Sequence, residues 1–306
     1  MTKYKSSILI ISLTLLVLSC KSYKQRLDEL PDNKYKGTIN VSADESFKPI
    51  IDEQVQVYES NFPGTKIRVQ YKPEAECIKD LQVDSIRMII ITRNYNEEEK
   101  DFIVDSMDVA PESMTIAKDA VTVIMHPESV YSGFTMKEIR EILTGRFSKK
   151  LIPVFDGVKA TSTVRFIIDS VLRGDTLTAN AMAARSSEGV IDYVSKNPDV
   201  VGFIGVSWIG NPEDTAQLGY LKKVKMLPIE NINIPGMYVM PSQAGIFFHR
   251  YPMVRDLVYT LKEKYKGLGH GFADFLSGET GQLIFRRAYL VPTQKNFGIR
   301  PVKLKE

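Results

Sequence analysis

The sequence predicts an α/β protein built on parallel-rich sheets, and three observations carry that prediction. Apolar runs of strand length, among them Ile86-Arg87-Met88-Ile89-Ile90-Ile91-Thr92, alternate along the chain with segments of helical periodicity. Those runs are near-continuous, as in strands buried on both faces. Helix-start signals separate them, such as the capping box Thr135-Met136-Lys137-Glu138. The 306 residues, 43% of them hydrophobic, suffice for one large or two medium domains with real cores. A formal net charge of +3, with no lysine or arginine run, argues against nucleic acid as a partner.

Lys3 and Lys5 precede an apolar run over residues 8–18 that is short for a membrane span and fits a secretory signal. The run ends Val17-Leu18-Ser19-Cys20, which resembles a bacterial lipobox. Residues 1–19 are therefore expected to be a signal peptide removed before Cys20, whose thiol takes a lipid. Residues 20–37, polar and charged, read as a tether. Cys77 is then the only other cysteine, which leaves no intramolecular disulfide in the mature chain.

Residues 38–42 predict the first strand, and Phe47, Ile50, Ile51, Val55 and Tyr58 a helix with Pro49 in its first turn. Residues 66–71 and 86–92 predict strands. Asn96-Glu97-Glu98-Glu99 opens a helix with acidic residues where its dipole favours them. After the apolar strand at 120–125, the Thr135 box starts a helix that Gly145 stops. Residues 151–155 form a short buried strand. Ser186 and Ser187 open a helix bearing Val190, Ile191 and Val194, and a strand follows at 200–206. Amphipathic helices over about 253–265 and 271–287 close the chain. Such alternation places ligands at the carboxyl ends of the strands.

One stretch stands out as a candidate site. After the strand at 151–155, Asp156-Gly157 signals a turn, and Val164, Ile167, Ile168, Val171 and Leu172 recur at helical spacing. Thr161, Ser162 and Thr163 fall at the helix start with Arg165 in its first turn. That is a cradle of free N–H groups, hydroxyls and a cation suited to an oxyanion. Taken alone, Thr161 and Ser162 read first as an ordinary N-cap, and two more sites of the same kind in the chain are what favour the cradle.

Two further stretches carry a resemblance. Residues 116–121 followed by Phe134-Thr135-Met136-Lys137-Glu138-Ile139-Arg140-Glu141-Ile142-Leu143-Thr144-Gly145 form one. The other is Phe272-Ala273-Asp274-Phe275-Leu276-Ser277-Gly278-Glu279-Thr280-Gly281-Gln282 with Val291-Pro292. In these the chain resembles the phosphate-binding members of the periplasmic solute-binding protein superfamily, in their Bacteroidetes-type lipoprotein form, from about residue 37 to 301. The resemblance implies a type II periplasmic binding protein fold: two α/β lobes joined by a two-stranded hinge, closing over phosphate or a related oxyanion. Lobe one would hold residues 38–119 and 245–301, and lobe two residues 120–244. The crossings would lie at 118–120 and 240–245. It also implies permease subunits of an ABC importer as partners, no cofactor, a monomer, and an envelope location by the N-terminal lipid.

Two more candidates belong beside the first. Asp44 and Ser46 sit at the mouth of the first strand, where capping is the ordinary role of either. Thr92-Arg93 ends the buried strand at 86–91; the family commonly places a Ser/Thr-Arg or Ser-Asp pair there, and an arginine grips two phosphate oxygens at once. The chain also departs from the family. Where its phosphate binders carry a Gly/Ser loop, this chain has Tyr71-Lys72-Pro73-Glu74-Ala75-Glu76-Cys77. A carboxylate beside a dianion is repulsive unless it accepts the ligand's own proton, a role open to Glu76 or Asp44 and one that rejects sulfate. Glu74 and Glu76 facing solvent, or a ligand other than phosphate, are the alternatives.

Enzymatic readings find little support. The chain lacks Gly-x-Ser-x-Gly and Cys-x-x-Cys, and His126, His249 and His270 have no metal-ligand spacing. Cys77 reads as a half-buried helix thiol. A third class is a lipoprotein that keeps the fold as a sensory or interaction subunit. Trp208, the single tryptophan, reads as lobe core or hinge packing.

Overall fold

The computed structural model describes residues 29–157 and 161–293. The expected signal peptide, Cys20 and the chain beyond 293 lie outside these, as do Val158, Lys159 and Ala160. The first half comprises β1 (Lys36–Asp44), α1 (Lys48–Asn61), β2 (Gly64–Lys72), α2 (Glu74–Lys79), β3 (Ile86–Ile91) and α3 (Glu97–Met107). β4 (Glu112–Met125) then runs into the second half: α4 (Met136–Thr144), β5 (Ile152–Asp156), α5 (Ser162–Phe166), β6 (Met182–Ala184), α6 (Ser187–Val194) and β7 (Val200–Gly205). After α7 (Thr215–Lys223), β8 (Lys225–Leu227), β9 (Ile229–Glu230), β10 (Tyr238–Val239) and α8 (Gln243–Phe247), the chain returns through β11 (Val254–Leu261). α9 (Leu268–Ser277), α10 (Glu279–Arg287) and β12 (Val291–Pro292) close it.

The sheet order is β2-β1-β3-β11-β4-β7-β5-β6, with β8 and β12 pairing β4. β1 pairs β2 and β3 in parallel, and β5 pairs β6 and β7 in parallel. β4 and β11 are antiparallel to each other and join the two parallel sets. These are the two lobes and the two-stranded connection of the predicted class. Strands buried on both faces explain the continuous apolar runs. Met88 and Ile90 of β3 enter the core of Ile39, Val41, Phe47, Ile51 and Phe272, whereas Ile89 and Ile91 pack with Cys77, Leu81 and Ile103.

β4 changes partners along its length, which is how one strand serves both lobes. Its first part pairs β11 and places Ile116 and Ala117 in the first core; its last pairs β7 and β8 and places Val121, Val123 and Met125 in the second. The expected capping box forms at Thr135 with Glu138, the helix expected at Asn96 starts with a second box to Glu99, and Gly145 ends α4 in the left-handed region at φ 73°.

Three sequence expectations are corrected. Residues 254–261 form β11, not a helix. Val254, Leu257, Val258 and Leu261 do recur at helical spacing, but the β-branched and aromatic run is buried between β3 and β4, and tertiary pairing overrides the local period. The helix expected over 271–287 is two, α9 and α10, parted at Gly278. The chain also returns later than 240–245. Ile246, Tyr251 and Met253 pack in the second lobe's core, and Val121 N donates to Met253 O at 2.9 Å, so the second crossing lies at Met253–Val254.

The later part of the expected tether is not loose. Asp32 is only 2% exposed. Its carboxylate takes the Arg87 guanidinium at 2.9 Å, the Tyr265 hydroxyl at 2.9 Å and the Leu268 N–H at 2.7 Å. Burial opposes its charge, but these bonds outweigh it and hold its pKa below the ordinary value. Asp32→Ala should therefore destabilise the fold by about 3–5 kcal/mol, because Arg87 and the Leu268 N–H lose a buried partner. Chemical denaturation checks this; a tether residue would show no change.

Candidate functional site

The carboxyl ends of the parallel strands of both lobes meet over the β4–β11 crossing. β1 ends at Asp44 and leads into a short turn carrying Ser46; β3 ends beside Thr92; β5 ends at Asp156, and α5 begins at Ser162. Asp44, Ser46, Glu74, Thr92, Asp119, Asp156, Thr161, Ser162, Thr163, Ser187 and Arg255 are all buried there.

At the centre lies Arg255 of β11. Its Nε donates to Asp119 Oδ2 at 2.8 Å, and its Nη1 reaches Ser162 Oγ at 2.9 Å and Thr163 Oγ1 at 3.3 Å. The Phe47 ring lies under the guanidinium, 5.0 Å from centroid to carbon. Asp119 belongs to the middle of β4, so this pair ties the crossing strands together and offers its remaining donors to the second lobe. A second guanidinium, Arg165 of α5, pairs with Glu74 and gives a hydrogen bond to Thr92 Oγ1 at 2.7 Å. Glu74 in turn accepts from Thr92 N at 2.8 Å and Thr92 Oγ1 at 2.7 Å.

A further bond crosses the cleft: Ser46 Oγ donates to Asp156 Oδ2 at 3.2 Å, an oxygen that Ser187 Oγ of the same lobe as Asp156 also reaches at 2.9 Å. Trp208 Nε1 donates to Ser46 O at 2.7 Å, so the single tryptophan bridges the lobes and does not merely fill a core.

Four buried carboxylates face two guanidiniums, and their protonation reflects it. Burial and the Glu74 charge push Asp44 up to about 7, against the pull of Arg255. Burial raises Asp119 and Asp156 as well. For Glu74 burial acts upward too, but the Arg165 and Thr92 bonds prevail and hold it below its ordinary value. Arg255 goes up: burial would lower it, and Asp119, Asp44 and Asp156 outweigh that.

The predicted candidates divide. Ser46, Thr92, Ser162, Thr163, Arg165 and Asp44 converge on the cleft. Thr161 is buried beside them but spent as a cap, its Oγ1 accepting from Val164 N at 3.3 Å. Asp44 caps the turn after β1 through Ser46 N at 2.9 Å. Arg93 lines the open cavity beside Thr92 and Arg165 but is not hydrogen-bonded into the cluster. Its guanidinium takes both Glu99 oxygens, at 2.6 and 2.8 Å, because the Asn96 capping box folds Glu99 back onto it. Glu76 is exposed, and Glu74 is the buried carboxylate of that loop; two residues apart on one helix turn, they cannot share a face. Arg255, Asp119, Asp156, Glu74 and Ser187 were not foreseen. The available signal was a pair of opposite charges inside each of two apolar runs, Lys118-Asp119 and Arg255-Asp256.

The thiol reading has no geometry to support it. Cys77 is fully buried, not half-buried, and burial pushes its pKa up to about 12, so it stays a neutral thiol. Among the described residues no group of three or more His, Cys, Asp or Glu is placed to hold a metal ion.

Asp44 makes the cleft pH-sensitive in a definite direction. Its folded pKa exceeds its unfolded one, so the native state retains a proton that the unfolded chain has released. Stability from this group is full near the ordinary value of 3.8 and is lost as pH rises to about 7, by about 4 kcal/mol at most. Asp119 and Asp156 act in the same sense. The melting temperature should fall between pH 5 and 7.5, and Asp44→Asn should flatten that fall and melt higher than the parent at pH 7.5. Thermal scans across this range decide it.

Comparison with known proteins agrees with this architecture. A model of the PBP superfamily domain matches residues 31–279. The phosphate-binding protein PstS of Pseudomonas aeruginosa is 18% identical over 291 residues, covering 87% of this chain and 86% of the relative. A protein of Clostridium perfringens, solved with bound phosphate and described as a phosphate ABC transporter substrate-binding protein, superposes with a TM-score of 0.70 at 18% identity; the match covers 84% of this chain and 100% of the other. An ABC-type phosphate transport receptor of Vibrio cholerae gives 0.63 at 17% identity, over 83% and 99% of the two chains. These likenesses establish the fold, and the matched span, from Pro31 before β1 to the start of α10, takes in both lobes and the crossing between them: the chain belongs to the PBP superfamily.

Proposed function

We propose that this protein is a lipid-anchored solute-binding protein that captures phosphate, or a closely related oxyanion, between its lobes and passes it to the permease subunits of an ABC importer. One observation carries the reading. Hydroxyls and guanidiniums from both lobes and the crossing, Ser46, Thr92, Ser162, Thr163, Arg165 and Arg255, face one buried cleft. Arginine forks and hydroxyls are the donor set that a tetrahedral oxyanion takes. The names of the phosphate-binding relatives support it. Asp44, buried and raised to about 7, keeps a proton in part near neutral pH, and in that form it donates to an anion's oxygen where a carboxylate would repel it. In this reading the chain needs no cofactor, acts as a monomer and faces the periplasm or sits on the outer membrane, held by lipid on Cys20. No helix among the described residues is long and apolar enough to cross a membrane.

A second reading keeps the fold but makes the protein a sensory or interaction subunit. It is favoured by the engagement of Thr92 and Arg165 with the protein's own Glu74. Titration calorimetry with inorganic phosphate distinguishes the two: saturable heat supports capture, and none at millimolar phosphate, with folding confirmed, supports the second.

Within the capture reading, the hydroxyls of α5 have separable roles. Ser162→Ala should weaken phosphate binding about fivefold, the worth of one neutral hydrogen bond near 1 kcal/mol. Thr161→Ala should leave affinity unchanged and lower stability by about 1 kcal/mol as a lost cap. Calorimetry and melting curves on the same two proteins test the division.

Anchoring has its own test. Cys20→Ala should leave a soluble or unprocessed precursor; processing and membrane retention like the parent's would rule out the lipoprotein assignment.

A further inference from the structure

Resting on the oxyanion reading, we propose that Glu74 is the cleft's built-in anion, a specificity-determining residue whose carboxylate holds the donors that an incoming oxyanion has to take. Glu74 is wholly buried and belongs to the first lobe. Its Oε1 accepts from the Thr92 N–H at 2.8 Å and from the Thr92 hydroxyl at 2.7 Å. Its other oxygen accepts from Arg165 Nε, and Arg165 Nη2 lies 3.4 Å from Oε1. A main-chain N–H, a hydroxyl and a guanidinium edge thus converge on one carboxylate. That is the donor geometry of a bound anion, supplied here by the chain itself.

The position of the pair gives it a consequence. Arg165 belongs to α5 of the second lobe, so the ion pair is also a bond between lobes, made where Ser46 meets Asp156 and Trp208 meets Ser46 O. The two ends of the pair are unequally exposed. The Glu74 side chain is 0% exposed and that of Arg165 28%. Arg165 borders an open cavity of about 300 Å³, shared with Thr92, Arg93, Lys118, His249 and Asp256. An anion entering there meets the exposed edge of the guanidinium that Glu74 holds from within. Binding is then an exchange: the ligand takes Arg165 and Thr92, and the Glu74 carboxylate gives them up. Only an anion offering stronger bonds than a carboxylate completes the exchange, which favours a multiply charged oxyanion over a monocarboxylate.

The test uses full-length protein in detergent, with phosphate affinity and acrylamide quenching of Trp208 as separate readouts. Glu74→Gln keeps the shape and removes the charge; Glu74→Ala removes both acceptors. Each should bind inorganic phosphate at least tenfold more tightly than the parent, and each should show greater Trp208 quenching before phosphate is added. If the parent binds phosphate and both variants bind it equally or less tightly, the Glu74 proposal is overturned while the capture reading stands. If none of the three binds phosphate, capture fails and quenching decides the proposal. Increased quenching in Glu74→Gln upholds the carboxylate as the bond between lobes, and quenching equal to the parent's removes it.

Discussion

The Arg255–Asp119 pair is the interaction on which the rest of the molecule depends. It joins the middle of β4 to the start of β11, the two strands that pass between the lobes, with both side chains almost wholly out of water. Bringing two such charges inside costs several kcal/mol each, and only their mutual attraction and further hydrogen bonds offset it. Arg255 finds those bonds on Ser162 and Thr163, which belong to the other lobe's cleft edge. One guanidinium therefore sets the register of β11 on β4, seats the start of α5 and supplies the positive potential that the surrounding carboxylates require.

The cleft around it has a mixed charge, and that shapes what it can bind. Asp44, Glu74, Asp119 and Asp156 stand against Arg165 and Arg255, so the site stays near balance only if some carboxyls remain protonated. Asp44 is the group poised to do so near neutral pH. A dianion entering this field gains from the guanidiniums and loses to the carboxylates. Its net affinity depends on which carboxyls give up their present partners or keep a proton. The lobes are held together by direct bonds between protein groups, and exchange of those bonds is the natural route by which a ligand couples to lobe motion.

The overall reading of the sequence was sound where local physics dominates. The acidic helix start at Asn96, the capping box at Thr135, the glycine stop at Gly145 and the continuous apolar strands are consequences of backbone donors, positive φ and two-sided burial. Each is legible in a handful of consecutive residues. The errors arose where one local pattern fits two structures. Val254, Leu257, Val258 and Leu261 satisfy a helical period, yet the segment is a strand because β3 and β4 leave a gap that only a strand bonds on both edges. The tether was read from polar composition, which says nothing of the buried contacts that Asp32 makes across the fold.

By itself, then, the sequence determined the class of fold, the order of most elements and the hydroxyl-bearing loops at the ends of β1, β3 and β5, because these follow from periodicity, capping and turn chemistry within short windows. Only the tertiary structure decided which charges meet. Arg255 lies 136 residues from Asp119, and Arg165 lies 91 from Glu74. Arg93, adjacent to the converging Thr92, turns instead to Glu99. Coulomb energy depends on distance in space and on burial, and neither is written in the spacing of residues along the chain.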